Sequence, residues 1–495
     1  MAATAFTGIP FIIAALSSLG STILAQAIGK RIIFIASGFL MLIGALWNMH
    51  IFMTYSWFMV SRVIQAVGWG SSEGLVLISI RDIFFVSAPS VLPSKPLTDE
   101  LEVHERGLRM TILNIVTLLF TWGSPILGGY ISQTTASFRN QLMVVNVIQA
   151  LAILFMVVFV PETSFDRSKS FPEAPSPIAT FGTTTITIVS ATPSSPLKTY
   201  LKSLHPLRYT KRFCLQTALQ PVRALSAPSA LLSFLLTGPM VASAYGVANS
   251  LSLLFAAMPT FLFPSRLGYI FILPLAFSLI VYTLTSYISY LRYKPPHHLC
   301  RSSKSDHLTA AVPGFLLGVA GLLSFGLYVE GELSPKIVDN VTVFSLDTTG
   351  MNLSLKTVSL LFGMLVAGST LISFAASAHL ASSSVPTSSG NSKHGENLLQ
   401  PAHAVHENIL IGIFVIGFPS WIQGTEGAME GIKDTVIAIA VLQIVLASTL
   451  GAVLFVKGDG IRAVDRRVLG IKEEGQGRGE MNLQRWKSGG SYFEA

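Results

Sequence analysis

The sequence predicts an all-α polytopic membrane protein, and three observations predict it. Eleven long apolar stretches follow one another along 495 residues, each matching the roughly 20 residues that cross a hydrocarbon layer about 30 Å thick. Charged residues make up only 12% of the chain and hydrophobic ones 51%, with a mean hydropathy of +0.60, a balance foreign to soluble globular domains. The stretches do not alternate apolar and polar residues in the roughly ten-residue segments that a transmembrane barrel requires.

The expected spans begin at 5–27, which has no basic residue before it and therefore reads as a retained helix rather than a cleaved leader. Next come 32–49, entered through Gly29-Lys30-Arg31, and 57–80, which carries Arg62, Gln65, Glu73 and the small-residue pattern Gly70-x-x-x-Gly74. The spans 108–132 and 141–160 complete an N-terminal transmembrane half of five helices over 1–160. A segment rich in Pro, Ser and Thr, 161–227, reads as a linker, with an interfacial helix expected near 200–215 where basic and apolar residues mix. The spans 228–252, 268–291, 309–328, 355–378, 405–423 and 435–456 form a C-terminal half of six helices over 228–456, followed by a tail at 457–495. Pro125, Gly238-Pro239 and Pro274 fall inside spans, where neighbouring helices can satisfy the backbone groups they free.

Basic residues set the orientation. With the 28–31 connection placed inside, 26 of the 33 Lys and Arg lie in inside segments and four in outside ones, so the N-terminus is expected outside and the C-terminus inside. Both Asn-x-Ser/Thr sequons, at Asn340 and Asn352, then fall in one outside loop, 329–354, as glycosylation candidates. Cys214 and Cys300 fall in inside segments, where thiols stay reduced, and form no metal-ligand or disulfide pattern. The net charge of +8 follows from the basic inside loops and points to the lipid bilayer, not nucleic acid, as the partner.

Within spans, ionised groups need a cavity or a partner. Arg62 lies about 7–8 Å inside the outer end of its span, and Glu73, eleven residues on, shares its face about 16 Å along the axis. Arg62 and Gln65 either line a polar path or, for the arginine, snorkel to the interface; Glu73 either carries a proton or is held by a neighbouring helix. Gly70 and Gly74 read as helix packing. Lys30 and Arg31 either pair with Asp82 at the inner ends of neighbouring spans or only fix the topology. Asn114 and Asn146 read as interhelical hydrogen-bonders. No nucleotide loop, nucleophile–base pair or metal-ligand cluster stands out, so neither an enzyme nor a cofactor is expected.

Several of these residues, read in order, resemble the motifs of the major facilitator superfamily, in a fungal-type form close to its drug:proton antiporter branch. Thr22-x-Leu24-Ala25-Gln26-x-x-Gly29-Lys30-Arg31 resembles the loop between family helices 2 and 3, and Arg62-Val-Ile-Gln65-Ala-Val-Gly68 the helix 4 motif. Asp82 with His104-Glu105-Arg106-Gly107 resembles the approach to helix 5. Gly123-Ser124-Pro125-Ile-Leu-Gly128-Gly129 resembles the antiporter motif of that helix, and Pro161-Glu162-Thr163 the close of helix 6. Gln26 replaces the usual acidic residue, Thr22 and Ala66 replace glycines, and Ser124 replaces the glycine before the proline. The first span aligns with family helix 2, so the chain is expected to lack a counterpart of helix 1.

The resemblance implies a major facilitator-like bundle of two halves that exports a small organic solute, drug or toxic metabolite against proton entry. It would work by alternating access, as a monomer, most readily in the plasma membrane or an internal membrane such as the vacuolar one. Arg62, Gln65 and Glu73 would form the substrate and proton path. Gln26, Gly29, Lys30, Arg31 and Asp82 would form the inner gate, and Gly123, Pro125, Gly128 and Gly129 a kinked helix that limits proton leak, against the simpler reading of a structural kink. An uncoupled facilitator and a non-transporting sensor on the same fold are the alternatives.

Overall fold

A computed structural model describes residues 2–51, 54–83, 96–135, 138–160, 219–256, 260–293, 311–333, 336–338, 341–343, 353–383, 398–422 and 431–469. The helices are α1 (Ala2–Ile28), α2 (Lys30–His50), α3 (Tyr55–Ile83), α4 (Pro96–Thr135), α5 (Phe138–Phe159), α6 (Gln220–Leu225), α7 (Pro228–Phe255), α8 (Pro264–Tyr269), α9 (Ile272–Tyr293), α10 (Ala311–Leu333), α11 (Leu355–Ser383), α12 (Leu399–Ile422) and α13 (Gly431–Val468). Two three-residue strands, β1 (Lys336–Val338) and β2 (Val341–Val343), pair antiparallel between α10 and α11. The candidate sequons at Asn340 and Asn352, the interfacial helix near 200–215 and both cysteines lie outside the described residues.

Among the described residues, ten helical segments are long and apolar enough to cross a membrane, so the chain is a multi-pass, all-α membrane protein. The eleventh expected span corresponds to α3, which has the length but not the apolarity, because Arg62, Glu73, Arg81, Asp82 and five serines interrupt it. It is nevertheless packed into the bundle, between α1 and α2. Pro274 lies in the first turn of α9, since the expected span at 268–291 is broken into α8 and α9; there its missing N–H forfeits no intrahelical bond. Pro10, Pro125, Pro239 and Pro419 lie inside helices.

Small residues set the closest crossings, because a bilayer supplies little hydrophobic drive and helix association depends on contact. Gly70 and Gly74 of α3 face Ala14 and Ser18 of α1 so closely that a Cβ on either glycine would overlap its neighbour. Ser17 completes the seam, donating to the Val67 carbonyl at 2.7 Å and lying 2.7 Å from Ser71 Oγ. The packing role read for Gly70-x-x-x-Gly74 is thus what the structure has. Gly318 of α10 and Gly368 of α11 approach backbone to backbone in the same manner. Gly8 of α1 and Gly412 of α12 do so where those two helices cross.

The main apolar core lies among α7, α10, α11, α12 and α13, with Phe255, Phe325, Phe362 and Phe418 fully buried and Trp122 reaching in from α4. Large apolar side chains such as Phe120, Leu127, Leu154 and Phe155 point outward from α4 and α5, as expected of surfaces solvated by lipid tails.

One end of the bundle carries the α1–α2 turn, the start of α12 and the end of α13; it is called the basic end below. There α13 continues past its apolar segment, which ends at Leu454, to Val468, so the expected tail at 457–495 begins as part of the same helix. The extension docks on the bundle. Leu469 joins Ala224, Ala227, Leu380 and Leu398 in a small apolar cluster. Asp465 accepts a hydrogen bond from the Ser229 N–H at 3.0 Å and another from the Ser229 hydroxyl, supplying the cap that Ala227 cannot give to the N-terminus of α7.

Burial pushes the Asp465 carboxyl above its ordinary range, against the opposing pull of the two Ser229 bonds and of Arg462. A raised value means that the docked state binds the Asp465 proton more tightly than the undocked state. Docking is therefore strongest below the ordinary aspartate range and weakens as pH rises through the raised value. Amide hydrogen exchange over the 455–469 extension, followed from about pH 4 to pH 8 and corrected for intrinsic exchange, should show protection falling with pH. Asp465→Asn should flatten the dependence; protection that grows with pH would contradict the assignment.

Candidate functional site

A polar cluster lies between α3, α7 and α12. Glu73 sits ten residues from the end of α3, or about 15 Å from the basic end, and Glu407 lies eight residues into α12, about 12 Å from the same end. Helix periodicity puts His403, His406 and Glu407 on one face of α12, and Glu407 and Asn408 adjoin α3. Asn408 Nδ2 donates to Glu73 Oε2 at 3.1 Å, joining residues 335 apart in sequence. The Glu73 and Glu407 carboxyls lie close enough to interact electrostatically, and both act on the Tyr245 hydroxyl of α7, which hydrogen-bonds Thr121 of α4.

The seam between α1 and α3 positions Glu73, because Gly70 and Gly74 flank it and hold that stretch of α3 against α1. Glu407 faces His403 one turn earlier, with Oε2 3.8 Å from Nδ1, and its side chain keeps 19% of its surface accessible. Glu73, Tyr245, Phe11 and Trp69 are likewise only partly buried although they lie within the bundle. Phe11 and Tyr245 also pack against the edge of the main apolar core. Aromatic rings adjoin the acids in a chain: Phe11 lies 5.0 Å from Trp69 and 5.7 Å from Tyr245, and Tyr245 lies 5.4 Å from Trp122. Among the described residues, no three His, Cys, Asp or Glu side chains converge so as to hold a metal ion.

The residues expected at the site fall in separate places. Arg62 lies toward the opposite end of α3, where Nη1 donates to Gln65 Oε1 at 3.5 Å and the guanidinium stands 5.8 Å from the Phe58 ring centroid. Arg62 and Gln65 form a local pair on α3, apart from Glu73. Gly29 makes the turn between α1 and α2 with φ 96°, a conformation that side chains with a Cβ rarely adopt. Lys30 and Arg31 are both buried, and Arg31 Nη2 donates to the Val157 carbonyl at 2.8 Å, near the C-terminal end of α5 where a cation is favoured. Arg31 thus ties α2 to α5. Gln26 is half-buried near the end of α1, and the side chain of Asp82 lies outside the described residues, as do those of His104, Glu105 and Arg106.

The Gly123–Gly129 stretch of α4 forms close crossings. A Cβ at Gly129 would meet the Pro264 carbonyl at 2.5 Å, and one at Gly268 the Pro125 carbonyl at 2.9 Å, so α4 and α8 touch backbone to backbone. Gly128 accommodates Gln141 of α5, and Gly123 faces Leu275 of α9 more loosely. Asn114 donates to the Tyr282 hydroxyl at 2.7 Å, between α4 and α9.

The sequence reading passed over His403, Glu407, Asn408, Thr237 and Tyr245. A signal existed: His403-x-x-His406-Glu407-Asn408 places three ionisable groups on one stripe at the start of an apolar run, and ionisable groups in spans mark functional sites. No protein-family model matches the chain, and comparison with curated proteins found no similar sequence. The fold defines its class as a multi-pass membrane protein, with an acidic cluster beside aromatic rings inside the bundle.

The Glu73–Asn408 bond gives a clean stability test. Asn408→Ala removes the donor and leaves a carboxyl without its partner, so thermal unfolding in detergent should show a loss of about 1–3 kcal/mol. Glu73→Gln retains an oxygen that can accept from Asn408 and should cost less. Equal stability of Asn408→Ala and the unmodified chain would show that the bond contributes nothing.

Proposed function

We propose that the chain is a secondary transporter of the major facilitator type, in which proton binding at Glu73 and Glu407 drives movement of a small organic solute by alternating access. The observation that carries this reading is the Glu73–Asn408 contact, which joins α3 to α12 through an acidic site within the membrane.

An internal repeat supports two halves. If α1 to α5 correspond to α9 to α13 in order, the packings α1 on α3, α2 on α3, α2 on α5 and α4 on α5 have counterparts in α9 on α11, α10 on α11, α10 on α13 and α12 on α13. The cross-packings exchange as well, α1 on α12 corresponding to α9 on α4. Such pairing is what two related repeats facing each other across a central site produce. Among the described long helices, α7 alone falls outside this pairing. On this reading the basic end faces the cytoplasm.

Two carboxyls close together in a medium of low dielectric share protons or a compensating cation rather than carry two free charges. The adjoining aromatic rings favour a cation further, since ring faces attract cationic groups. The solute is therefore cationic or neutral and aromatic rather than anionic. A proton and a cationic solute competing for one acidic pair would give exchange. The mechanism then needs no ATP.

In vesicles reconstituted with the full chain, an imposed pH gradient should drive uptake of ethidium or a comparable aromatic cation. Glu73→Gln and Glu407→Gln should each lower that flux by about tenfold or more, the scale of losing a charge-assisted contact. Flux indifferent to the gradient would favour an uncoupled facilitator. Unchanged flux in both glutamine variants would remove the acidic pair from the mechanism.

A further inference from the structure

Resting on that reading, we propose that His403 is the proton relay partner of Glu407 in the acidic pair, with Thr237 as the positioning residue that fixes its tautomer. The argument is geometric. Thr237 Oγ1 donates its only hydrogen to the Ser233 carbonyl at 3.1 Å. The same oxygen lies 3.0 Å from His403 Nε2, so with its hydrogen on Ser233 it accepts from an Nε2–H. The neutral ring is thus the Nε2–H tautomer, with the bare Nδ1 directed toward Glu407 Oε2, 3.8 Å away. That gap is about 1 Å longer than a hydrogen bond, within reach of a side-chain adjustment.

The transfer is balanced. A proton on Glu407 Oε2 moves to Nδ1, leaving a carboxylate and an imidazolium whose Nε2–H stays on Thr237. Return of the Nδ1 proton to Glu407 restores the neutral ring.

The surrounding groups leave this role to His403. His406 Nδ1 is engaged with the Ala402 carbonyl at 2.8 Å, and its ring stacks on Phe234. Glu73 on α3 is held by Asn408, and Tyr245 on α7 pairs with Thr121. On α6, Arg223 is exposed. On α13, Gln443 bonds Ser243 and Asp465 bonds Ser229, and α11 brings His379 at the basic end.

Infrared titration of the carboxyl band and nitrogen NMR of labelled histidines, on the purified full chain in lipid nanodiscs, test the relay without a solute. The His403 signal, assigned by its loss in His403→Gln, should report an Nε2–H neutral ring, and Thr237→Val should mix the tautomers. Glu407 and His403 should titrate as one system, so that Glu407→Gln moves the His403 midpoint, and His403→Gln the Glu407 midpoint, by about one pH unit or more. Independent midpoints, or an Nδ1–H neutral ring, would overturn the relay and leave the transport reading standing. Coupled midpoints in a chain without proton-driven flux would sustain the relay and reject transport. Thermal unfolding of each variant separates misfolding from loss of coupling.

Discussion

Lipid cannot satisfy a polar group, and this constraint governs the rest of the structure. Backbone groups meet it by forming helices, which leaves the side chains on α3 and α12 to find partners in each other. Glu73 and Glu407 are tolerable within the bundle because Asn408, Tyr245 and His403 surround them with hydrogen-bonding and polarisable groups. The seam of Ala14, Ser18, Gly70 and Gly74 serves the same end from the other side. By bringing α1 and α3 to backbone contact, it fixes where Glu73 stands.

The fold was legible in the sequence because membrane helices are encoded locally. Each of ten spans is a run of apolar residues that identifies itself without reference to any other part of the chain. The exception, α3, shows where local encoding stops. Its Arg, Glu, Asp and Ser residues dilute its apolarity below that of its neighbours, yet contacts with α1 and α2 hold it in the bundle. Pro274 shows the same limit, since the break between α8 and α9 sits just before it and only the folded chain reveals that the proline begins a helix.

The site was half legible. Glu73 was visible as an isolated acid in a span, but its partner stands 335 residues away and no spacing within α3 points there. Arg62 and Gln65 drew equal attention and proved to be neighbours of each other, apart from the acidic pair. His403, Glu407 and Asn408 were readable as polar residues at the head of an apolar run. Their meaning depends on α7 and α3, because Thr237 sets the orientation of one and Glu73 engages another. Arg31 illustrates a similar limit: its charge suits the end of the bundle, but its contact with the Val157 carbonyl could only come from the fold.

The central claim is that the contact between α3 and α12 joins two halves whose relative position responds to protons. Spin labels on exposed sites at opposite ends test it directly: one pair introduced by Trp57→Cys and Trp421→Cys, the other by Leu24→Cys and Leu291→Cys, with Cys214 and Cys300 replaced. Pulsed distance measurements in nanodiscs across a pH series should show one pair lengthening while the other shortens, and Glu73→Gln with Glu407→Gln should hold both fixed. Distances that do not change with pH in the chain carrying both glutamates would contradict the account.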